Sequence, residues 1–170
     1  MTTEASGAPS DPADPDAAPE SVARAIALRL LERTPRTRVE LERAMARRGV
    51  PPDAAAAVLD RFTEVGLVND AAFATAWVDS RHRGKGLAKR ALSAELRRRG
   101  VDDATVREAV EQVSADDEEA AARALVERKL RTMTNVPPEA KVRRLVAMLG
   151  RKGFSHGLAL SVVRDCLAPD

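Results

Sequence analysis

The 170-residue sequence predicts an all-α protein, an elongated array of three tandem three-helix repeats with nine short helices. Two observations carry this reading. Hydrophobic residues make up 44% of the chain and aromatic residues only 2%, so Ala, Leu and Val must fill the core. Ala and Leu are strong helix formers, as are the abundant Arg and Glu. The second observation is a helix–glycine–helix corner that recurs three times, as LERAMARRGVPPDAAAAVL (41–59), LSAELRRRGVDDATVREAV (92–110) and LVAMLGRKGFSHGLALSVV (145–163). Self-similarity at a fixed period is the mark of a repeat architecture.

Aligned on Gly49, Gly100 and Gly153, the copies are 51 and then 53 residues apart. Eight positions before each glycine stands Leu41, Leu92 or Leu145, and four before stands Met45, Leu96 or Leu149. These i and i+4 pairs make one apolar stripe on the first helix of each corner. Glycine supplies the left-handed conformation that ends that helix, and Val50, Val101 or Phe154 packs back on its last turn. Pro51-Pro52-Asp53, Asp102-Asp103 and Ser155 then open the next helix as N-cap or first-turn residues. On that second helix Ala55, Val106 and Ala159 repeat, as do Val58-Leu59, Ala109-Val110 and Val162-Val163.

One further helix precedes each corner. The first is expected over about 22–33, ended by Thr34-Pro35, with the capping box Thr37-Arg38-Val39-Glu40 opening the next. The second is expected over about 70–82, after an Asn69/Asp70 cap, with Phe73 and Trp77 on its inner face. The third is expected over about 116–131, after the acidic start Ser114-Ala115-Asp116-Asp117, with Ala122, Leu125, Val126 and Leu130 inward. Pro138 suits the first turn of the last corner's first helix. The repeats are therefore 21–68, 69–114 and 115–170. Residues 1–20 carry four prolines, five carboxylates and no Lys or Arg, and are expected to form a disordered acidic tail.

Several function classes lose support. No apolar run reaches the roughly 18 residues that span a bilayer, and the first residues lack the basic and apolar regions of a signal peptide. Cys166, the only cysteine, fits a reducing cytoplasm and a role as small apolar filler. There is no Walker A run, and Gly84-Lys85-Gly86 reads as a flexible basic turn. His82 and His156 have no metal-ligand spacing, and the carboxylates cluster at helix starts, where they suit the helix dipole. The expectation is no enzyme, no catalytic residue, no metal and no cofactor.

Charge is the more informative signal. The net charge of +2 divides into −5 for residues 1–20 and +7 for the rest. Arg47-Arg48, Arg98-Arg99 and Arg151-Lys152 precede the three corner glycines. Helix-end stabilisation accounts for such pairs one at a time, whereas their regular recurrence suits a polyanion or an acidic repeating partner. Between 81 and 99 stand Arg81, Arg83, Lys85, Lys89, Arg90, Arg97, Arg98 and Arg99 against Glu95 alone. Residues 102–119 carry a charge of −7, so mutual neutralisation within the fold is the competing account. Arg143 and Arg144 belong to a second basic stretch with Lys141, Arg151 and Lys152. These cations, Lys141 apart, are the candidate filament- or DNA-binding residues. The aromatics sit at core spacing, which disfavours base stacking on single strands. A helical DNA-binding transcriptional regulator is the alternative, but the second helices of the corners lack the Arg, Asn and Gln face that reads base edges.

The chain resembles the RecX family, the bacterial regulators of the RecA recombinase, over about 22–165. The residues that carry the likeness are Ala25-Ile26-Ala27-Leu28-Arg29-Leu30-Leu31, Pro35 to Leu41 and Arg48-Gly49-Val50 in the first repeat. In the second they are Gly66-Leu67-Val68-Asn69-Asp70-Ala71-Ala72-Phe73-Ala74, Trp77-Val78, Arg81, Gly84-Lys85-Gly86 and Arg99-Gly100-Val101. The third repeat adds Lys129-Leu130 and Arg151-Lys152-Gly153-Phe154-Ser155. The family often has an aromatic near Leu67 and an acidic residue at Asn69, so this chain departs mildly there. The resemblance implies a cytoplasmic, monomeric, all-helical protein that binds RecA and the RecA–DNA filament along its groove. It implies that the protein hinders ATP hydrolysis, filament growth and strand exchange, and so regulates DNA repair, recombination and the SOS response. Weak non-specific binding to DNA phosphates is a further expectation.

Overall fold

A computed structural model describes residues 18–168. Among them are nine α-helices and no strand: α1 (Pro19–Leu31), α2 (Arg38–Ala46), α3 (Pro52–Glu64), α4 (Asp70–Lys85), α5 (Lys89–Arg98), α6 (Asp103–Glu111), α7 (Ala115–Leu130), α8 (Pro138–Arg151) and α9 (His156–Leu167). The predicted acidic tail lies outside the described residues up to position 17. Its last two residues do not belong to it: Pro19 and Glu20 form the first turn of α1, where proline has no N–H to lose and the carboxylate suits the dipole.

All three corners are built alike. Gly49, Gly100 and Gly153 have φ of +76°, +84° and +93°. At each, the residue after the glycine donates its N–H to the carbonyl five positions back: Val50 to Met45 at 3.2 Å, Val101 to Leu96 at 3.1 Å and Phe154 to Leu149 at 3.2 Å. Each glycine N–H bonds to the carbonyl three back. This is the Schellman motif, and its apolar residue is buried each time. The six stripe residues, Leu41, Met45, Leu92, Leu96, Leu145 and Leu149, are fully buried. Truncating any one of them to Ala should cost about 2–5 kcal/mol.

The helix starts follow the expected chemistry. Thr37 and Glu40 exchange the two bonds of a capping box, each at 3.2 Å. Ser114 and Asp117 form a second one. Asp102 accepts from the Ala104 and Thr105 N–H groups at 3.0 Å, and Ser155 accepts from Leu158 at 3.2 Å. The Thr105 hydroxyl holds the Asp102 carboxyl below its ordinary value, and Ser114 does the same for Asp117. Because the folded pKa is depressed, these caps contribute fully above the unfolded value and lose their contribution as pH falls through the lower folded one.

The chain forms two compact units that divide at Phe73 and Ala74. In the first, α1, α2 and α3 pack pairwise around Ile26, Leu41, Met45, Leu59 and Phe62. Its α2–α3 pair is braced by Arg38 on Asp60 at 2.7 Å, and the Arg38 N–H donates to Asp70 at 2.9 Å, fixing where α4 begins. In the second unit α7, α8 and α9 pack pairwise around Leu125, Val126, Leu145, Leu149, Phe154 and Val163, and α5 packs on α6.

The third corner is docked onto the start of α5. Ala88 donates its N–H to the Lys152 carbonyl at 3.0 Å, and Lys152 Nζ donates to the Lys85 carbonyl at 2.8 Å. Lys89 N–H donates to Glu118 at 2.9 Å. Gly84-Lys85-Gly86 differs from the expected basic turn, because α4 runs on through Gly84 and Lys85. Only Gly86, at φ +61°, makes the turn. His82 stabilises it, with Nδ1 2.9 Å from the Leu87 carbonyl. Cys166 is half-buried against the core of the last repeat. Burial pushes its thiol up, opposed in part by the Arg123 guanidinium 3.9 Å away.

Candidate interaction surface

The predicted cations do not share one environment. Trp77, the only tryptophan, is stacked by two guanidinium groups, with Arg81 Cζ 4.2 Å and Arg99 Cζ 4.3 Å from its ring centroid. Its indole N–H donates to Glu95 at 2.9 Å, and the same carboxylate faces Arg81 Nε at 3.7 Å. Trp77 was expected on an apolar inner face. It instead joins α4 to α5 through a cation–aromatic stack, and so Arg81 and Arg99 are committed to the fold. Replacing Trp77 with Phe removes a charge-assisted hydrogen bond and weakens both stacks. The expected loss is about 1–3 kcal/mol, set mainly by the charge-assisted bond, because the phenyl ring keeps most of the packing. A urea titration followed by circular dichroism checks this, and an unshifted midpoint would show that the stack adds nothing.

Two more cations have local partners. Arg83 pairs with Asp79 at 3.2 Å, one turn away. Arg97 meets Asp103 at 2.6 Å, and this is the only ion pair among the described residues that joins the basic 81–99 segment to the acidic 102–119 segment. Lys89 also acts electrostatically on Asp117, so part of the charge of the two segments is neutralised within the fold. Both pairs are exposed and individually weak. Lys85 is exposed, and Lys89 is half-buried beside the capped start of α7.

The remaining cations of the second unit come together. Arg90 and Arg98 on α5 and Arg151 at the end of α8 border a groove of about 330 Å³, floored by Ala91, Ala94, Gly150 and Gly153. Arg151 also borders an adjoining groove of about 500 Å³ with Lys129, Arg143, Arg144, Ala147 and Met148. Arg90 and Arg98 are eight residues apart and Arg144 and Arg151 seven, two turns of helix in each case, so each pair lies on one face. The one carboxylate on this run, Glu95, is engaged with Trp77 and Arg81. Among the described residues, Lys129, Arg90, Arg98, Arg143, Arg144 and Arg151 have no ion pair. Lys129 was not among the expected site residues. The missing signal is tertiary, since α7 and α8 meet only in the folded unit. Arg47 and Arg48 lie exposed at the corner of the other unit.

Among the described residues no cluster of His, Cys, Asp and Glu could hold a metal ion, and no helix is long and apolar enough to cross a membrane. Fold and surface together define a helical-repeat protein that carries a groove bordered by arginines. Three family models match the chain in order: the first RecX three-helix domain at 23–62, the second at 69–110 and the third at 116–163. The chain belongs to the RecX family. It is 59% identical over 152 residues to the Regulatory protein RecX of Thermobifida fusca, covering 88% of this chain and 82% of that one. It is 53% identical to that of Streptomyces coelicolor, covering 91% and 82%. With the protein of the same name from Mycolicibacterium vanbaalenii it shares 47%, covering 94% and 91%. A crystal structure of RecX from Lactobacillus salivarius superposes with a TM-score of 0.79 at 19% identity, covering 86% of this chain and 96% of that one, which shows a shared fold.

Proposed function

We propose that the protein is a non-enzymatic modulator, mainly an inhibitor, of the RecA recombinase. It binds the RecA–DNA filament along its groove and hinders ATP hydrolysis, filament growth and strand exchange. The observation that carries this is the ordered match of all three RecX domains, together with relatives named as RecX regulatory proteins. The open cations support it physically. A repeating partner offers the same anionic feature at each step, and several weak contacts carried by one chain gain by multivalency. The contact residues in this reading are first Arg90, Arg98, Arg143, Arg144 and Arg151, with Arg47 and Arg48 in the other unit. Lys85, Lys89 and Lys152 stand beside them.

The test is DNA-dependent ATP hydrolysis by RecA with and without the protein. Inhibition well below one protein per RecA protomer is expected. A helical transcriptional regulator would leave hydrolysis unchanged and protect a defined duplex site.

A further inference from the structure

We propose that a cavity between α4 and α7 is a protein-docking seat, which takes an acidic segment of a RecA protomer by one bulky apolar side chain. This rests on the filament reading and names a face of the chain that meets protein. The cavity holds about 550 Å³, lies within the second unit and shares no lining residue with the two grooves beside α8.

Small residues keep its walls bare. Ala120, Ala121 and Ala124 line it from α7, and Gly84 lines it from α4. Gly84 is helical, so no turn requires it, and a methyl added there would meet nothing within 4 Å. Glycine inside a helix costs stability, and here it leaves the α4 wall open. Beneath lies an apolar floor of Val78, Val113 and Leu125, all buried.

Both ends of the cavity are fixed. Gly86 turns so close to α7 that a Cβ on it would fall 3.0 Å from Leu125 Cδ1. At the other end the Gln112 amide reaches the Thr75 hydroxyl at 3.4 Å. Lys85, next to Gly86, and Arg128, one turn beyond Leu125, therefore stand at the same end. Both are exposed, and neither has an ion pair among the described residues. The two carboxylates in the lining are engaged, Asp79 with Arg83 at 3.2 Å and Asp117 with the Ser114 hydroxyl at 2.7 Å. Helix-end stabilisation accounts for each open cation singly, but not for an unfilled apolar floor beneath them. The fitting occupant carries one large apolar residue for that floor, as the anchors of protein interfaces do, and a carboxylate for Lys85 and Arg128. A sugar–phosphate strand asks for a row of cations and no apolar seat.

The experiment is biolayer interferometry of the full chain on RecA filaments, assembled on immobilised oligothymidylate with a non-hydrolysable ATP analogue so that they persist. Ala124 is exposed, so the ring of A124F fills the cavity without entering the core. A124F and the double reversal K85E/R128E should each weaken filament binding by at least about tenfold. A104F places the same ring at an exposed position on α6, outside the cavity, and should bind as wild type. Thermal melts followed by circular dichroism confirm the fold of each variant and expose any helix-end role of the two cations. Wild-type binding by A124F would overturn the docking seat and leave the filament function standing. An equal loss for A124F on bare oligothymidylate at low salt would assign the cavity to the strand and also overturn it. Tighter binding by A124F than by wild type would assign the cavity to the chain's own acidic residues 1–17, expelled by the new ring. Absence of wild-type binding would overturn the seat and the filament reading together.

Discussion

Replacing Gly153 with Ala should be among the most destabilising single-methyl changes in the chain. At φ +93° a side chain is strained, and an added Cβ would fall 2.6 Å from the Ala91 backbone nitrogen and 2.7 Å from its Cβ. No rotamer relieves this, so the third corner must move off the first turn of α5. Strain of about 1–3 kcal/mol and overpacking of about 1–3 kcal/mol together take a large share of a typical stability of about 5–15 kcal/mol. Gly49→Ala is the matched comparison. Its φ is +76°, but nothing lies within 4 Å of the added atom. Left-handed strain alone then costs about 1–2 kcal/mol. Urea unfolding should show a clearly larger midpoint loss for Gly153→Ala than for Gly49→Ala. Equal losses would mean that the two repeats are not held together by this contact. Because Gly153 also floors the groove, the same change should separate Arg98 from Arg151.

The second large effect divides two neighbouring arginines. Arg98→Glu should weaken inhibition of the RecA filament by about tenfold, the scale of one lost phosphate or carboxylate contact plus a repulsive charge. It should leave stability within about 0.5 kcal/mol, because Arg98 is exposed and unpaired among the described residues. Arg99→Ala should do the reverse. It removes a guanidinium from the Trp77 face, which costs about 0.5–2 kcal/mol, and should keep inhibition at low temperature. Thermal melts alongside ATP hydrolysis separate the outcomes. If Arg98→Glu lowers the melting temperature and inhibits normally in the cold, Arg98 is a helix-end stabiliser and leaves the binding surface.

The corners were legible because their chemistry is local. A left-handed glycine, an apolar residue after it and a stripe at i and i+4 all stand within ten residues, and the structure places each where the repeat predicts. Helix α1 begins three residues before the expected start because proline, usually read as a breaker, is at home in a first turn. Helix α4 outran its expected end because Gly84 only weakens a helix, whereas Gly86 must leave it. The site was legible only as a composition. A run of eight cations does not say that Arg81 and Arg99 close on one indole, that Arg97 faces Asp103, or that Arg90 and Arg98 open toward Arg151. Those assignments depend on how α4, α5 and α8 meet, and no sequence period encodes that. Trp77 shows the limit most clearly. Its i, i+4 spacing from Phe73 marks a helix face but not what covers it.

The most direct test of the central claim is the disassembly of preformed RecA filaments on single-stranded DNA, followed in time after adding the protein at limiting concentration. Modulation of the filament predicts net loss of RecA from the DNA at a rate set by the added protein, with a small fraction of protein per protomer sufficing. A time course identical to the buffer control, at concentrations where the protein is folded and in excess of RecA, would contradict it.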